Sequence, residues 1–384
     1  MTRARNTLLA LLGGLCAALP AFAEDIAFVT AQAPINAVLV YDVETMTERA
    51  RITGFGVEPS RMVANPDRSR LYLVSRVLAS GGQPAQMRVH VLSASRRTIL
   101  RTAVVGQATG RTLAISPDGR RLYVWKLTSP PQAISVAVLD SATLAEVGEV
   151  PLPWALCGPI AKDIAVAPDG RIVASGCADG LRVIDPDTLL PSTLPIATDL
   201  LPDLIGFSPN GQEIYLRHTS TASTQQPRLA AVHLVSGVRA EINFALPPDG
   251  PAFAGAVPVR MARVRRPSDP TGDPTIFVTY APTMGGAPPM ASARASELLP
   301  PDRRLTRLTS LGVPSATIFG ASEDGRVGVF GNQRILRRVK LDTVGPEPIA
   351  TDGDFIEVAP SGQSPLQLSD IILARPLLED GFEQ

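Results

Sequence analysis

The hydrophobic residues of this chain fall in short runs separated by turn-forming residues, and Thr112–Lys126 shows the pattern most clearly. The run Leu113–Ile115 predicts a short buried strand, Pro117–Gly119 a tight turn, and Leu122–Trp125 the returning strand. Proline presets φ, aspartate can bond the backbone two residues further on, and glycine adopts positive φ, so each turn residue has its own physical reason. The stretch therefore predicts an antiparallel β-hairpin.

Copies of this hairpin recur along the chain. Clear copies span Met62–Val74, Ile164–Ser175 and Leu204–Leu216, and less regular ones span Val264–Tyr280, Ser322–Phe330 and Ile356–Gly362. The turn residues Asp67, Asp118 and Asp169 are spaced 51 positions apart, and Asp273 and Asp324 have the same spacing. Repeats of this length built from short strands are typical of β-propeller blades, so we predict an all-β, seven-bladed β-propeller.

Each repeat also predicts a third strand and an outer fourth strand after the hairpin. The third strand ends in an apolar-Asp-x-x-Thr pattern at Asp42, Asp140 and Asp185. An aspartate can serve as a catalytic acid, but its recurrence at one position of the repeat favours a hydrogen-bonded turn.

The two ends of the chain differ from the repeats. Arg3 and Arg5 precede the apolar run Leu8–Leu19, and Ala21–Ala23 fits a small-x-small cleavage pattern, so residues 1–23 predict a secretory signal peptide. Residues 24–373 are then the propeller, and residues 374–384 are an exposed acidic tail. We expect a periplasmic or secreted protein without a membrane span.

A propeller closes when the two ends of the chain share one blade. We expect the first segment after the signal peptide to supply the second, third and outer strands of a blade whose inner strand is Phe355–Pro360. Pro365–Leu368 competes with Ala27–Thr30 for the place of the second strand, and the sequence leaves both open. Closure in either form removes the open sheet edges of an all-β array.

The amino-acid composition limits the classes of molecule that the chain could bind. The chain has 36 basic and 36 acidic residues, and removing Arg3 and Arg5 leaves a net charge of −2. This balance gives no case for binding nucleic acid. The 45% hydrophobic content, arranged in regular short runs, argues against disorder.

The motif order along the first repeat resembles the YVTN family of bacterial β-propeller repeats. That order is Phe28–Thr30, Asn36–Asp42, Gly56–Pro59, the Pro66-Asp67 turn and Leu71–Val74. The resemblance covers most of the chain after residue 23, except for irregular copies between about Pro247 and Leu311. It implies a propeller whose relatives serve as binding scaffolds, as lactonase-like enzymes or as subunits of periplasmic amine dehydrogenases.

Loop lengths and charges favour one rim of the propeller as the functional face. The longer connections, Val77–Gln86, Thr219–Pro227 and Ala281–Pro301, fall on this rim, where insertions are also simply tolerated. Basic residues lie at the entrances of inner strands (Arg61, Arg111, Lys162) and at the exits of second strands (Arg76, Lys126, Arg217), with Asp163 and Asp203 in the same zone. A ring of positive charge here would attract a small anionic ligand or an acidic patch of a partner, although surface cations are commonly just solvated.

Catalytic motifs are scarce. The three histidines, His90, His218 and His233, lack metal-ligand spacing, and His90 and His233 fall on third strands as satisfied or exposed residues. The sequence contains no Cys-x-x-Cys-His haem motif, Gly-x-Ser-x-Gly elbow or phosphate loop, so we expect no cofactor and no metal. We favour a monomeric binding propeller over a lactonase-like hydrolase or a dehydrogenase subunit. The enzyme alternative would take Asp163, Asp203 or His218 as its general acid or base.

Cys157 and Cys177 are the two cysteines left after signal-peptide removal, and they predict a disulfide in an oxidising compartment. The hairpin that turns at Asp169-Gly170 places Cys177 opposite Lys162, near the surface. Cys157 lies five residues before that position, in the loop that enters the strand, so the two thiols can meet.

Overall fold

The structure is a computed structural model that describes residues 25–79, 84–107, 112–128, 133–157, 163–195, 203–208, 210–218, 228–244, 257–264, 274–281, 289–299, 304–305, 307–310, 318–322, 324–332, 334–341, 355–358 and 368–374. The predicted signal peptide and residues 375–384 of the predicted tail lie outside these ranges. Within them nearly all of the regular secondary structure is β-strand. No helix among the described residues is long and apolar enough to cross a membrane.

The strands of the first half are β1 (Ile26–Ala31), β2 (Ala37–Asp42), β3 (Glu48–Ile52), β4 (Met62–Ala64), β5 (Arg70–Val77), β6 (Gln86–Ser93), β7 (Thr98–Gln107), β8 (Leu113–Ile115), β9 (Arg121–Thr128), β10 (Ala133–Asp140), β11 (Glu146–Leu152), β12 (Ile164–Val166), β13 (Ile172–Cys177), β14 (Gly180–Ile184) and β15 (Pro191–Leu194). A short helix, α1 (Trp154–Cys157), lies between β11 and β12.

The second half contains β16 (Asp203–Phe207), β17 (Glu213–His218), β18 (Arg228–His233), β19 (Arg239–Glu241), β20 (Asn243–Phe244), β21 (Val257–Val264), β22 (Thr275–Ala281), β23 (Pro289–Arg294), β24 (Arg304–Leu305), β25 (Arg307–Ser310), β26 (Ile318–Ala321), β27 (Val327–Gly331), β28 (Ile335–Lys340), β29 (Phe355–Glu357) and β30 (Leu368–Ala374). A 3-10 turn covers Ala295–Leu298.

These strands form antiparallel sheets of four, the unit expected for a propeller blade. Their orders are β3-β2-β1-β30, β12-β13-β14-β15, β16-β17-β18-β19, β21-β22-β23-β25 and β26-β27-β28-β29. The groups β4 to β7 and β8 to β11 belong to one larger sheet, because Gln107 of β7 pairs with Leu127 of β9. A short parallel pair, β20 with β24, lies apart from these sheets.

The sheet that contains both ends of the described chain corrects the prediction for the closing blade. Its innermost strand is β30, in which Asp370 pairs with Thr30 of β1. The prediction that Phe355–Pro360 fills this place is wrong, because Phe355–Glu357 is β29, the outer strand of the preceding sheet. The sequence left two candidates for the strand beside the innermost one, Ala27–Thr30 and Pro365–Leu368. In the structure Ala27–Thr30 holds that position. The reason is burial, since β30 carries the buried Leu368, Ile371, Leu373 and Ala374 whereas Glu357 is exposed.

One edge strand of each four-strand group contacts the edge strand of the next. We call β30, β4, β8, β12, β16, β21 and β26 the inner strands, and in this order each contacts its successor. The strand β26 in turn contacts β30. The residues that enter these strands are therefore brought near one another from distant parts of the chain.

Hydrophobic clusters lie between neighbouring sheets. One cluster combines Phe28 of β1 with Leu73 of β5, and another combines Trp125 of β9 with Ile172 of β13. Each sheet thus buries its two faces against its neighbours, which divides a large core into layers. Arginines add hydrogen bonds across the same boundaries, as Arg121 Nη1 donates to the Pro186 carbonyl at 2.8 Å.

The hairpin turns have the chemistry that the sequence predicts. In the central hairpin the Ser116 hydroxyl donates to Asp118, which also accepts the backbone N–H of Arg120 at 3.0 Å. Gly119 has a φ of 75°, a conformation that glycine adopts without strain. Ser322 and Asp324 repeat the serine-aspartate bond at 2.8 Å in a later copy.

The recurring aspartates of the third strands close turns, as predicted. Asp42, Asp140 and Asp185 each accept the backbone N–H of the threonine three residues later, at 2.7–2.8 Å. Arg49 adds an ion pair to Asp42 at 2.7 Å. Burial acts to raise the pKa of Asp42, but the hydrogen bonds from Thr45 and Arg49 outweigh it and hold that pKa at about 2.

The predicted disulfide is present between Cys157 and Cys177, with an S–S distance of 2.04 Å. It connects α1 to the end of β13, and the Ala178 N–H also donates to the Leu156 carbonyl at 2.8 Å. Both cysteines are buried, 3% and 8% exposed, rather than near the surface as the hairpin register suggested. Trp154 packs against the cluster that contains them.

Candidate functional site

Each of four inner strands has a polar residue directly before a buried apolar residue at or near its start. The pairs are Asp370-Ile371, Arg61-Met62, Thr112-Leu113 and Asp163-Ile164. The second residue of each pair is buried in a cluster between sheets. Because successive side chains of a strand point to opposite faces, the polar residue of each pair points away from that cluster. We call Asp370, Arg61, Thr112 and Asp163 the entrance cluster.

Asp370 ties two inner strands together. Its Oδ1 accepts the Ile371 N–H at 3.0 Å, and its Oδ2 accepts the Met62 N–H of β4 at 3.0 Å. Both carboxylate oxygens therefore have a backbone donor, and only 7% of the residue is exposed. These two backbone hydrogen bonds fix the orientation of the carboxylate without the help of another side chain.

Asp163 is held in a similar way three inner strands further along. Its Oδ1 accepts the Ile164 N–H at 2.9 Å, and its backbone N–H lies 3.2 Å from the Ser175 hydroxyl. The Asp163 carbonyl accepts the indole N–H of Trp125 at 3.3 Å. With 8% exposure, this second carboxylate is also nearly buried.

Arg61 lies beside Asp370 and interacts electrostatically with both acids. Its Nε lies 3.7 Å from Asp370 Oδ2, and 27% of its side chain is exposed. Burial acts to lower the pKa of Arg61, but the charges of Asp163 and Asp370 outweigh it and raise that pKa. At 3.7 Å the ion pair is too long for a hydrogen bond, and no residue in the described ranges accepts one from the guanidinium.

Thr112 completes the cluster. It leads into β8, which contacts both β4 and β12, so Thr112 comes between Arg61 and Asp163 in the order of the inner strands. Its hydroxyl oxygen is buried and has no hydrogen-bond partner in the part of the chain that the structure describes. A buried hydroxyl without a partner costs free energy, so this atom is suited to bind a group from outside the chain.

Two of the predicted cations lie in separate ion pairs. Arg76 contacts Glu58 at 2.6 Å, and Lys126 contacts Glu146 and Glu149 at 2.8 and 3.0 Å. Each is thus compensated by acids outside the entrance cluster. Of the predicted site residues, Arg61 and Asp163 directly precede the inner strands β4 and β12, which both contact β8.

The remaining predicted residues are only partly described. Arg217 of β17 is opposite Asp203 of β16 in the strand register, and His218 follows it. The side chains of Asp203 and His218, and the whole of Arg111 and Lys162, lie outside the described residues. Their part in the site stays a prediction.

The histidines on third strands have structural partners, as expected. His90 is fully buried, with Nε2 2.8 Å from the Ser75 hydroxyl and Nδ1 2.8 Å from the Thr102 hydroxyl. Because the Ser75 hydroxyl donates to the Phe55 carbonyl, it accepts from Nε2–H, and Nδ1 accepts from Thr102. His233 accepts the Ser236 N–H at 3.2 Å in a turn. Ser75 resembles a nucleophile beside a base, but its burial excludes substrate.

The described residues contain no group of three or more histidine, cysteine, aspartate or glutamate side chains placed to hold a metal ion. The chemistry of the entrance cluster is that of a guanidinium, two carboxylates and a hydroxyl.

Comparisons with known proteins support the fold. No protein-family model matches the chain, and no curated protein matches it. A solved structure of a protein from Lactobacillus plantarum is similar over 91% of this chain and 99% of that one, with a TM-score of 0.60 and 15% identity. A Bacteroides fragilis protein provisionally described as a 6-phosphogluconolactonase matches over 92% and 98%, with a TM-score of 0.57 and 14% identity.

The dihydro-heme d1 dehydrogenase NirN is a further structural neighbour. It matches 90% of this chain and 74% of its own, with a TM-score of 0.50 and 15% identity. These neighbours have β-propeller-like folds. At such identities the similarity establishes a propeller-like architecture and carries no activity to this chain.

Proposed function

We propose that this protein is a binding propeller that holds a small ligand with an anionic group at the entrance cluster, with Arg61 as the anchor. The observation that carries the proposal is the state of Arg61. Its guanidinium lies 3.7 Å from the fixed carboxylate of Asp370, is a quarter exposed, and makes no hydrogen bond to the described residues. A guanidinium offers paired donors that match a carboxylate or phosphate.

The architecture supports this location. We infer seven blades, one for each inner strand, with the ring closed by the pairing of β1 with β30. In such a ring the entrance cluster lies at the mouth of the central axis, where a rigid scaffold exposes converging polar groups. On the sequence motifs of the first repeat, we also propose that the chain is related to the YVTN family of β-propeller repeats.

We also propose export to the periplasm or outside the cell. The predicted signal peptide at residues 1–23 and the disulfide between Cys157 and Cys177 both fit an oxidising compartment. A protein partner at the long-loop rim stays a prediction, because most residues of those loops lie outside the described ranges.

A lactonase-like hydrolase is the second candidate, and the nearly buried carboxylate of Asp163 at the start of the inner strand β12 is the observation that favours it. In a hydrolase, Asp163 would accept a proton from the attacking water, and Arg61 would stabilise the oxyanion that develops on the substrate carbonyl. Turnover of a lactone that is lost in Asp163→Asn would favour this candidate over binding alone.

Calorimetric titration with acetate, succinate, citrate and phosphate tests the proposal. We expect at least one anion to bind, and Arg61→Gln to weaken that binding at least about tenfold, the value of one charge-assisted hydrogen bond. The control is Arg120→Gln, which removes the same charge from an exposed residue in the hairpin turn. Equal binding by wild type and Arg61→Gln would contradict the proposal.

A further inference from the structure

The ring-closing strand β30 contains a β-bulge near its start. In its pairing with β1, Asp370 is opposite Thr30, and the next pair is Leu368 with Ala31. Ser369 is therefore an extra residue without a partner on β1. Bulges interrupt the alternation of side chains along a strand, and they are frequent beside functional sites, where they redirect a side chain.

The bulge turns Ser369 to the same side of β30 as Asp370. Leu368 belongs to the hydrophobic cluster shared with β26 and β27, whereas Asp370 accepts the Met62 N–H of β4 on the other side of the strand. In a strictly alternating strand, Ser369 would lie on the side opposite Asp370. Instead its hydroxyl donates to the Pro59 carbonyl at 2.9 Å, in the segment that leads into β4.

The Ser369 hydroxyl thereby connects β1 to the segment that carries Arg61. Because it donates its one hydrogen to the Pro59 carbonyl, it accepts from the Thr30 hydroxyl, which lies 2.8 Å away. Thr30 has no exposed surface, so this bond lies between packed strands. Two residues after Pro59, the Arg61 Nε lies 3.7 Å from Asp370 Oδ2.

We call Val57–Arg61 the anchor segment, and it is held from two sides. On one side is its own sheet, where the Ser60 N–H donates to the Val74 carbonyl at 2.9 Å. On the other side is β30, through Ser369 and Asp370. If β30 left its place, the segment would lose every contact on that side. The position of the guanidinium therefore depends on a strand from the other end of the chain.

We propose that β30 is part of the anion site, with Ser369 and Asp370 as positioning residues for Arg61, and that a bound anion and the docking of β30 stabilise each other. The inference rests on the proposed anion-binding function and adds its regulation. A ligand that binds only the docked arrangement favours docking by the factor 1 + [L]/Kd. By the same linkage, docking of the strand strengthens ligand binding.

Hydrogen exchange followed by mass spectrometry tests this coupling in the intact protein. The probes are acetate, succinate, citrate and phosphate, each at about ten times its measured Kd. We expect every anion that binds to slow the exchange of the β30 amides about tenfold, the factor that linkage gives at this concentration. Exchange in the outer strand β15 should not change. The same concentrations should leave the exchange of β30 unchanged in Arg61→Gln.

The variant Ser369→Ala tests the positioning role without changing a charge near the anion. It removes the bonds to Pro59 and Thr30, so it should weaken anion binding about threefold or more, within the range of one hydrogen bond. Ser369→Thr keeps the hydroxyl and should bind as wild type does. The control Ser192→Ala removes a bond of 3.0 Å to the Val183 carbonyl in another sheet and should not alter the affinity. Thermal melting checks that each variant is folded.

Three results would overturn the inference and leave the proposed function intact. One is an anion that binds wild type and not Arg61→Gln but leaves the exchange of β30 unchanged. The others are equal affinities in Ser369→Ala and wild type, and equal losses in Ser369→Ala and Ser192→Ala. Binding that is unchanged in Arg61→Gln, or no binding of any anion, would contradict the proposed function and the inference with it.

Discussion

His90 has no exposed surface, yet both of its ring nitrogens have partners on neighbouring strands. The Phe55 ring packs edge-on against it with a centroid distance of 5.1 Å. Burial, together with the nearby charge of Arg88, lowers the pKa of His90 to about 4. The neutral ring is therefore part of the native structure, and a proton on Nδ1 would remove the acceptor that Thr102 uses.

The pH dependence of stability follows from this residue. The unfolded chain binds a proton at His90 near pH 6.5 and the folded chain only near pH 4, so stability falls as the pH drops through that window. We expect wild type to lose about 3 kcal/mol from this group between pH 7 and 4. Urea unfolding at several pH values measures this, with His90→Gln as the comparison. An equally steep loss in His90→Gln would contradict the assignment.

Asp370 shows what the sequence could not reveal about the site. The pairs Asp163-Ile164 and Asp370-Ile371 have the same local role, but only the first precedes a recognisable hairpin. The partner strand of β30 is β1, at the other end of the chain, so no turn follows β30 to mark it. Local sequence patterns predict a strand from the turn that joins it to its partner, and no such turn joins β30 to β1. The ion pairs of Arg76 and Lys126 were equally hidden, because side-chain partners depend on the packed strands.

At the scale of single elements, the recurring turn at Asp42 gives a direct test of the repeat chemistry. Asp42 accepts from Thr45 and Arg49 while almost fully buried, whereas Glu44 in the same turn is exposed. Asp42→Ala should lower the free energy of unfolding by about 2 kcal/mol or more, and Glu44→Ala by less than about 0.5 kcal/mol. Chemical denaturation of both variants provides the measurement. Similar effects in the two would argue against a turn closed by the carboxylate.

The disulfide is a second element whose role can be measured. Its cysteines are 20 positions apart, a loop for which the chain-entropy model gives about 3 kcal/mol. The double variant Cys157→Ala and Cys177→Ala should lose about this much stability. Thiol labelling of the unfolded, unreduced wild-type protein should find neither cysteine reactive. Two reactive thiols per chain would show that the bond does not form.

At the scale of the whole molecule, much of the architecture followed from the sequence because hairpins repeat. The four-strand sheets, the turn residues and the cysteine pair were all predicted from local patterns. The sequence prediction chose the wrong C-terminal segment as the innermost strand of the closing sheet. Phe355–Glu357 and Leu368–Ala374 are both largely apolar, so only the pairing with β1 in the folded structure distinguishes them.

Two truncations distinguish the closing strand from the tail. Deleting residues 377–384 should leave the melting temperature unchanged, because the predicted tail follows the last strand. Deleting residues 368–384 removes β30 and exposes the inner edge of β1, so it should abolish cooperative unfolding. Thermal melts followed by circular dichroism compare the two. A large fall in the first truncation would mean that the tail is packed.

The pairing of β1 with β30 also bears on when the protein can fold during synthesis. Thr30 and Ser369 are hydrogen-bonded across 339 positions, so β1 leaves the ribosome long before its inner partner exists. Until then β1 can pair only with β2, and its other edge is open to water and to other chains. The first sheet is therefore completed only after β30 has been translated, and until then the growing chain lacks the inner strand of this sheet.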